Sequence, residues 1–285
     1  MTDRRTREKP RVHHGRVRHV ERLTPHMIRV VLGGDGLAGF SAGDYTDHYV
    51  KLLFPRPGVA YPEPFDIEAI RRDFPREQWP LTRTYTVRSW DAATRELVID
   101  FVHHGDEGLA GPWAAAARPG DVIRFLGPGG AYAPAPESGW HLLVGDESAL
   151  PAIAASVERL PAGAVARVLV EVADEAEEQR LAVPDGDVQV TWVHRGERRV
   201  GAALAEAVRG LEFPEGEVQA FVHGEANFVK ELRHFLRLEH QVPRERLSIS
   251  GYWRLGSDED GWQSSKGEWN RRVEEEEAAR LAGVS

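Results

Sequence analysis

Along the first half of the chain, apolar and polar residues alternate in runs too short for helices, separated by turn clusters. Val17-Arg18-His19-Val20 and Met27-Ile28-Arg29-Val30-Val31-Leu32 read as strands, with Gly33-Gly34-Asp35-Gly36 as a turn. Asp47-His48-Tyr49-Val50-Lys51-Leu52-Leu53-Phe54-Pro55 predicts a strand that packs Val50, Leu52 and Phe54 inward. Arg83-Thr84-Tyr85-Thr86-Val87-Arg88 mixes β-branched and aromatic residues with charged ones and holds no Gly or Pro. Glu96 to Val102 alternates most cleanly, and Asp121 to Leu126 precedes the turn Gly127-Pro128-Gly129-Gly130. Short strands at this spacing predict an antiparallel β-barrel. Residues 55–80 are a Pro- and aromatic-rich excursion with a helical turn or two at Ile67 to Phe74. Loops of this length are usually functional or disordered, and because this one leads into Arg83 the functional expectation is a lid over a site there.

After Pro134-Ala135-Pro136-Glu137-Ser138-Gly139, which reads as a linker, the rhythm changes. Apolar strands at 140–145, 167–172, 188–193 and 219–223 alternate with helical patterns after Leu150, at Leu204 to Leu211 and at Ala226 to His240. This predicts a mostly parallel sheet. The strand Ser248 to Trp253 follows, then a charged helix from Lys266 onward. The expectation is therefore two domains, a β-barrel over 1–136 and an α/β unit with a C-terminal helix over 137–285.

Composition narrows the chemistry. The 285 residues include no cysteine, which excludes disulfides, thiolate zinc sites and cysteine-ligated iron–sulfur clusters. Any redox role must then ride on an organic cofactor. No apolar run reaches the roughly 20 residues of a membrane helix, and no signal-peptide core follows the basic N-terminus, so the expected location is cytoplasmic. Net charge is −9, divided as about +2 over 1–136 and about −11 over 137–285. The acidic second half argues against nucleic acid as a partner. The basic first twenty residues are expected to form a solvated arm.

Three stretches carry candidate chemistry. In the run 83–88, an arginine beside a phenol ring and hydroxyls suits a ligand that is part anion and part flat ring. Taken alone, the run reads rather as an ordinary half-buried strand with exposed arginines. Gly145-Asp146-Glu147-Ser148-Ala149 joins an apolar strand to a helix with Pro151 in its first turn, the usual nucleotide position in α/β sheets. Gly251-Tyr252-Trp253-Arg254 ends a strand in two rings and a cation. His103 and His104 are adjacent, which is not a chelating spacing, and no metal site is expected.

These motifs resemble those of the siderophore-interacting proteins, a family of ferric-siderophore reductases within the ferredoxin-reductase-like superfamily. Arg83 to Arg88 is similar to the family's R-x-Y-T-x-R flavin signature. Residues 103–114, with His104, Gly105, Gly111 and Trp113, resemble its H-G-x-x-G-P segment in a rearranged order. Gly145 to Ala152 resembles G-D-E-T-A-L-P-A with Ser148 for Thr, and Gly251 to Gly256 resembles G-Y-W-R-x-G. The resemblance implies that FAD is held by residues 83–88, His104, Gly105, Gly111, Trp113, Gly145 to Ala149, Tyr252 and Trp253. It implies an anionic ferric siderophore drawn to Lys51 and Arg254, with His48 a further residue near the flavin or substrate. The donor is NADPH, NADH or reduced ferredoxin, and no side chain is needed as a catalytic acid or base. A flavin reductase or diaphorase with another acceptor, and a siderophore-binding protein without turnover, are the alternatives.

Overall fold

The computed structural model describes residues 11–283. Seven strands form the first sheet: β1 (Val12–Thr24), β2 (Met27–Gly33), β3 (Tyr49–Phe54), β4 (Leu81–Thr86), β5 (Ser89–Asp91), β6 (Glu96–Val102) and β7 (Val122–Gly129). They pair antiparallel in the order β4-β3-β7-β1-β2-β6-β5. The two edge strands are consecutive parts of one run. Residues 81–86 pair with β3, then Val87 N–H donates to His48 O and Arg88 N–H to Val98 O, and residues 89–91 pair with β6. That single run closes the barrel and leaves no free edge at the seam. Alternation fills the interior: Leu97, Ile99 and Phe101 of β6 meet Val50, Leu52, Phe125 and Leu32.

Of the basic arm expected at the N-terminus, residues 1–10 lie outside the described residues, and from Val12 the chain is strand rather than arm. His13, Gly15 and Val17 alternate into the barrel, with the His13 ring between Phe40 and Phe125 at 5.3 and 5.6 Å. Gly15 is required there, because a Cβ would sit 2.9 Å from the Leu32 side chain. Residues 55–80 do not reach the cleft between the two sheets. Their helix α1 (Ile67–Asp73) is capped by Asp66, and Phe65 and Ile67 pack on Leu53, Leu126 and Val12 outside the barrel. Apolar side chains at 65 and 67 drive this docking, so the expected lid is a buttress. Helix α2 (Ala110–Ala116) follows β6.

The second sheet is wholly parallel, with β8 (Trp140–Gly145), β9 (Ala164–Val172), β10 (Gly186–His194), β11 (Val218–Glu225) and β12 (Leu247–Trp253) in the order β10-β9-β8-β11-β12. Strand order reverses between β8 and β11, the switch point where α/β sheets open a crevice. Helices α4 (Ala202–Arg209) and α5 (Ala226–His234), the latter continued by a π-helical turn at Phe235–Glu239, cover one face. Helix α3 (Leu150–Val157) covers the other, where Met27 and Tyr132 join the same core. That shared core, the Thr46–Ser156 hydroxyl contact at 2.8 Å and the Arg88–Glu158 ion pair fix the barrel against the sheet. The terminal helix α6 spans Glu259–Leu281, seven residues earlier than its charge pattern predicts, because Asp258 caps it through the Gly261 N–H.

Candidate functional site

A cleft of about 640 Å³ lies between the barrel and the carboxyl ends of the parallel strands. Its barrel wall presents Asp47 just before β3, Tyr49 and Lys51 on β3, then Thr84, Tyr85 and Thr86 of β4, with Asp100, Val102 and His104 beside them. The opposite wall is Glu147, Ser148 and Pro151 after β8, His223 of β11, Ser248 to Ser250, Tyr252 and Trp253 of β12, and Arg254 just after it. Helix α6 roofs the end with Glu259, Trp262, Gln263 and Lys266.

Strand geometry sets the barrel wall. Lys51 pairs with Thr84 and Tyr49 with Thr86, so alternate residues of both strands face the cleft. Tyr85 lies with its ring 4.5 Å from Phe101, and burial, then the Glu259 carboxylate, pushes its phenol far up. Arg83 is turned away from the cleft and covered by the start of α6: its guanidinium contacts Glu259 at 3.2 Å and Asp260 at 3.2 Å, and the Thr84 N–H donates to Glu259 at 3.0 Å.

On the opposite wall one carboxylate organises the switch point. Asp146 is fully buried. Its Oδ1 accepts the Ser148 N–H at 2.9 Å and the Ser148 hydroxyl at 2.5 Å; its Oδ2 accepts the Glu225 N–H and the Trp253 Nε1–H, both at 2.8 Å. Burial pushes its carboxyl up to about 6, reinforced by Glu147 and opposed by these donors. Asp146 thus ties β8, β11 and β12 together beneath the cleft rather than facing into it. Gly145 is needed here, since a Cβ would stand 2.5 Å from that of Ala149 and 2.7 Å from His223 O. His223 stacks on Phe221 at 3.8 Å, meets the Tyr252 ring edge-on at 4.9 Å and shares a 2.9 Å hydrogen bond with Ser248. Burial, and secondarily Lys266, lowers its pKa to about 3, so it is neutral at ordinary pH.

Of the residues predicted from the motifs, Lys51, Thr84, Tyr85, Thr86, His104, Glu147, Ser148, Tyr252, Trp253 and Arg254 share this cleft. The others stand elsewhere, for reasons the packing makes plain. Val87 and Trp113 belong to the barrel core, Trp113 against Phe101 and Phe54. Ala149 and Gly111 are buried, and Gly111 passes so close to Val102 O that a Cβ would lie 2.9 Å away. Gly105 turns the loop after β6 at φ +62°. Arg88 bridges to Glu158 of the second unit and approaches Asp100. His48 is buried with its Nδ1 3.2 Å from Gly129 O. Sequence reasoning missed Asp47, His223 and, above all, Lys266. The Asp258-Glu259-Asp260 run is a legible helix start; nothing local marks Lys266.

Lys51, Arg254 and Lys266 are three cations in one cleft, and among the described residues none has a carboxylate within ion-pairing distance. Burial, and then Lys51, lowers the Lys266 ammonium pKa, as expected of like charges held close. The carboxylates of the same lining are engaged elsewhere, Asp47 by the Ala131 N–H, Asp100 by Arg29, Glu147 by Arg195, Asp258 by the Gly261 N–H and Glu259 by Arg83, so the three cations are the charges left to meet an anion. No group of three or more potential metal ligands occurs among the described residues.

Residues 16–132 match the family described as the siderophore-interacting FAD-binding domain, and residues 138–256 match that of the siderophore-interacting protein. The chain is 32% identical to the ferric vibriobactin reductase ViuB of Vibrio cholerae, covering 86% of this chain and 90% of that one. It is 34% identical to an NADPH-dependent ferric-chelate reductase of Escherichia coli, covering 83% and 91%. A siderophore utilization protein from T. fusca superposes with a TM-score of 0.75 at 38% identity, covering 88% and 95%. A ferredoxin reductase of carbazole 1,9a-dioxygenase, 14% identical with a TM-score of 0.61, shares the fold. The chain belongs to the siderophore-interacting protein family.

Proposed function

We propose that this chain is an FAD-dependent reductase that takes electrons from NADPH and delivers them to an iron(III) siderophore. The barrel, residues 1–136, would hold the flavin, and residues 137–285 would receive the nicotinamide nucleotide at the switch point. The observation that carries the reading is the cleft itself. Rings and hydroxyls of residues 84–86, 252 and 253 line the same space as the unpaired Lys51, Lys266 and Arg254.

The residues fit a flavin. The cleft lies within the range of about 300–1,000 Å³ of sites for ligands of that class. Thr84 and Thr86 offer hydroxyls, Tyr85 and Tyr252 flat faces, and Arg83 with the Thr84 N–H a donor set for a phosphate. The flavin, when bound, supplies the conversion between a two-electron nicotinamide donor and one-electron iron. The chain's own part is binding and orientation. Lys51, Lys266 and Arg254 attract the anionic oxygens that hold iron(III). His223 stays neutral and adds no charge of its own. Asp146 fixes Trp253 at the wall so that the cleft keeps its shape. The name of the Escherichia coli relative supports NADPH as donor.

The test is spectroscopic. The purified protein is expected to show flavin absorbance, or to gain it from added FAD. The bands should bleach with NADPH under anaerobic conditions and return when a ferric siderophore is added, with iron(II) appearing in a chelator trap. Bound flavin that ignores NADPH and NADH would point to reduced ferredoxin as donor. Turnover of free flavin or dyes in preference to ferric siderophores would make the protein a flavin reductase. A chain that takes up no FAD would leave a siderophore-binding role.

A further inference from the structure

We propose that the first turn of α6 is a built-in competitor for the flavin phosphate site, with Glu259 and Asp260 occupying the Arg83 guanidinium and the Thr84 N–H that the diphosphate of FAD would use. The inference rests on the flavin reading above and adds a control of cofactor loading to it.

The contacts at Arg83 have the form of a bound anion. Arg83 Nε lies 3.2 Å from Glu259 Oε2, and Nη1 and Nη2 fork onto the two oxygens of Asp260, both at 3.2 Å. The Thr84 N–H donates to the other oxygen of Glu259 at 3.0 Å. A guanidinium fork plus a backbone N–H is a donor set that accepts a carboxylate pair or a phosphate group equally well. Here the anion belongs to the chain, so its effective concentration at the site is high and a free ligand must displace it. Burial pushes the Glu259 carboxyl up to about 6, with Asp260 adding to that rise and the Thr84 N–H and Arg83 opposing it. A charged group held out of water in this way gains by swinging back into solvent.

The rest of the helix does not depend on these contacts. Trp262 is buried, with its ring so close to Gly251 that a Cβ there would lie 3.0 Å away. Farther along, Glu276 pairs with Lys230, and Glu277 with Arg233 and Arg237. Gly256, at φ +82°, and Gly261 flank the acidic turn. Exchange therefore requires only that residues 257–261 rearrange, while Lys266 stays over the cleft. The turn lies just beyond residue 256, where the family match ends.

The experiment is a titration with FAD, followed by quenching of its fluorescence, on the full chain and on two variants. Glu259→Gln combined with Asp260→Asn keeps shape and removes charge; it is expected to bind FAD at least fivefold more tightly. Arg83→Gln is expected to bind it at least tenfold more weakly. An unchanged or weaker affinity of the first variant, with Arg83→Gln still impaired, overturns the competitor and leaves the flavin reading standing. Equal affinity of Arg83→Gln and the unmodified protein removes Arg83 from the phosphate site and overturns the competitor while the flavin reading stands, whereas no FAD binding by any of the three proteins overturns both. Amide hydrogen exchange of the unmodified protein gives a second, mutation-free readout. Adding FAD is expected to speed exchange at residues 257–261 while leaving 269–280 unchanged. Slower exchange at 257–261 would mean that the turn closes over FAD instead of yielding to it, and would overturn the proposal.

Discussion

On the α/β wall of the cleft, Asp146 and Glu225 are buried carboxylates whose oxygens are taken by fixed donors: Ser148, Trp253 and the Glu225 N–H for the first, Asn227 and the Leu255 N–H for the second. On the barrel wall, Arg83 and Arg88 are held by carboxylates that reach in from the surface, Glu259, Asp260 and Glu158. The first arrangement cannot exchange partners without stranding a buried donor, which costs about 1–3 kcal/mol per group. The second can, because Glu259, Asp260 and Glu158 are 29, 55 and 36% exposed, so water takes over their oxygens when a ligand takes the guanidinium. One wall is a fixed floor, and the other is a set of replaceable contacts. A ligand that arrives and leaves is better served by the second.

The sharpest way to break this comparison is Asp146→Ala. It strands the Glu225 N–H and the Trp253 Nε1–H, and a loss of about 3–5 kcal/mol is expected from such unsatisfied groups. At about 2–4 °C per kcal/mol for a chain of this size, the melting temperature should fall by about 6–20 °C in a thermal denaturation followed by circular dichroism. A change below 2 °C would mean that the floor is held by something else.

The converse holds for Arg83→Ala. Affinity for FAD should fall about 10–100-fold, the worth of charge-assisted hydrogen bonds, while the melting temperature falls by no more than about 4 °C, because water reaches the freed Glu259 and Asp260. Equilibrium binding and thermal denaturation on the same preparation separate the two effects. Loss of stability without loss of affinity would reverse the roles assigned to the walls.

A smaller effect is expected from the combined variant Lys51→Met and Lys266→Met. KM for an anionic ferric chelate should rise about tenfold at low ionic strength and converge on that of the unmodified protein as salt screens the charges. Rates with an uncharged acceptor should not change. Steady-state kinetics over a salt series gives the answer, and equal effects on both acceptors would assign the lysines to packing.

The smallest effect is a pH dependence. Asp146 has a folded-state pKa of about 6, above the usual 3.8. A carboxyl raised on folding contributes stability that is complete below its unfolded value and lost as pH rises through its folded one. Asp146→Asn removes that titration, so it should cost about 1–2 kcal/mol more at pH 4.5 than at pH 7.5, in keeping with that linkage. His223 is present in both proteins and cancels from the difference. Urea unfolding at the two pH values measures it, and a variant cost independent of pH would place the proton elsewhere.

Both halves of the fold were legible in the sequence because each rests on a local repeat. Alternation in β6 and β3 follows from strand geometry, and the strand–helix rhythm after residue 139 follows from the need to cover a parallel sheet. The motif residues were legible as a set, yet their directions were not. Arg83, Val87 and Trp113 share their motifs with Tyr85 and His104, but the first is covered by the start of α6 and the other two are core. The start of α6 was misplaced because charge density at 271–280 is conspicuous, while the cap at Asp258 works through a single side-chain hydrogen bond.

The sequence by itself determined the two-unit architecture, the exclusion of cysteine-borne chemistry and the stretches from which the cleft is built. Only the tertiary structure decided which of those residues meet. Arg83 and Asp260 stand 177 positions apart and touch, and Lys266 joins Lys51 because Trp262 seats its helix on Gly251. Periodicity encodes which face of an element is apolar. It carries no information about which distant polar groups the packing of those faces brings within reach of one another.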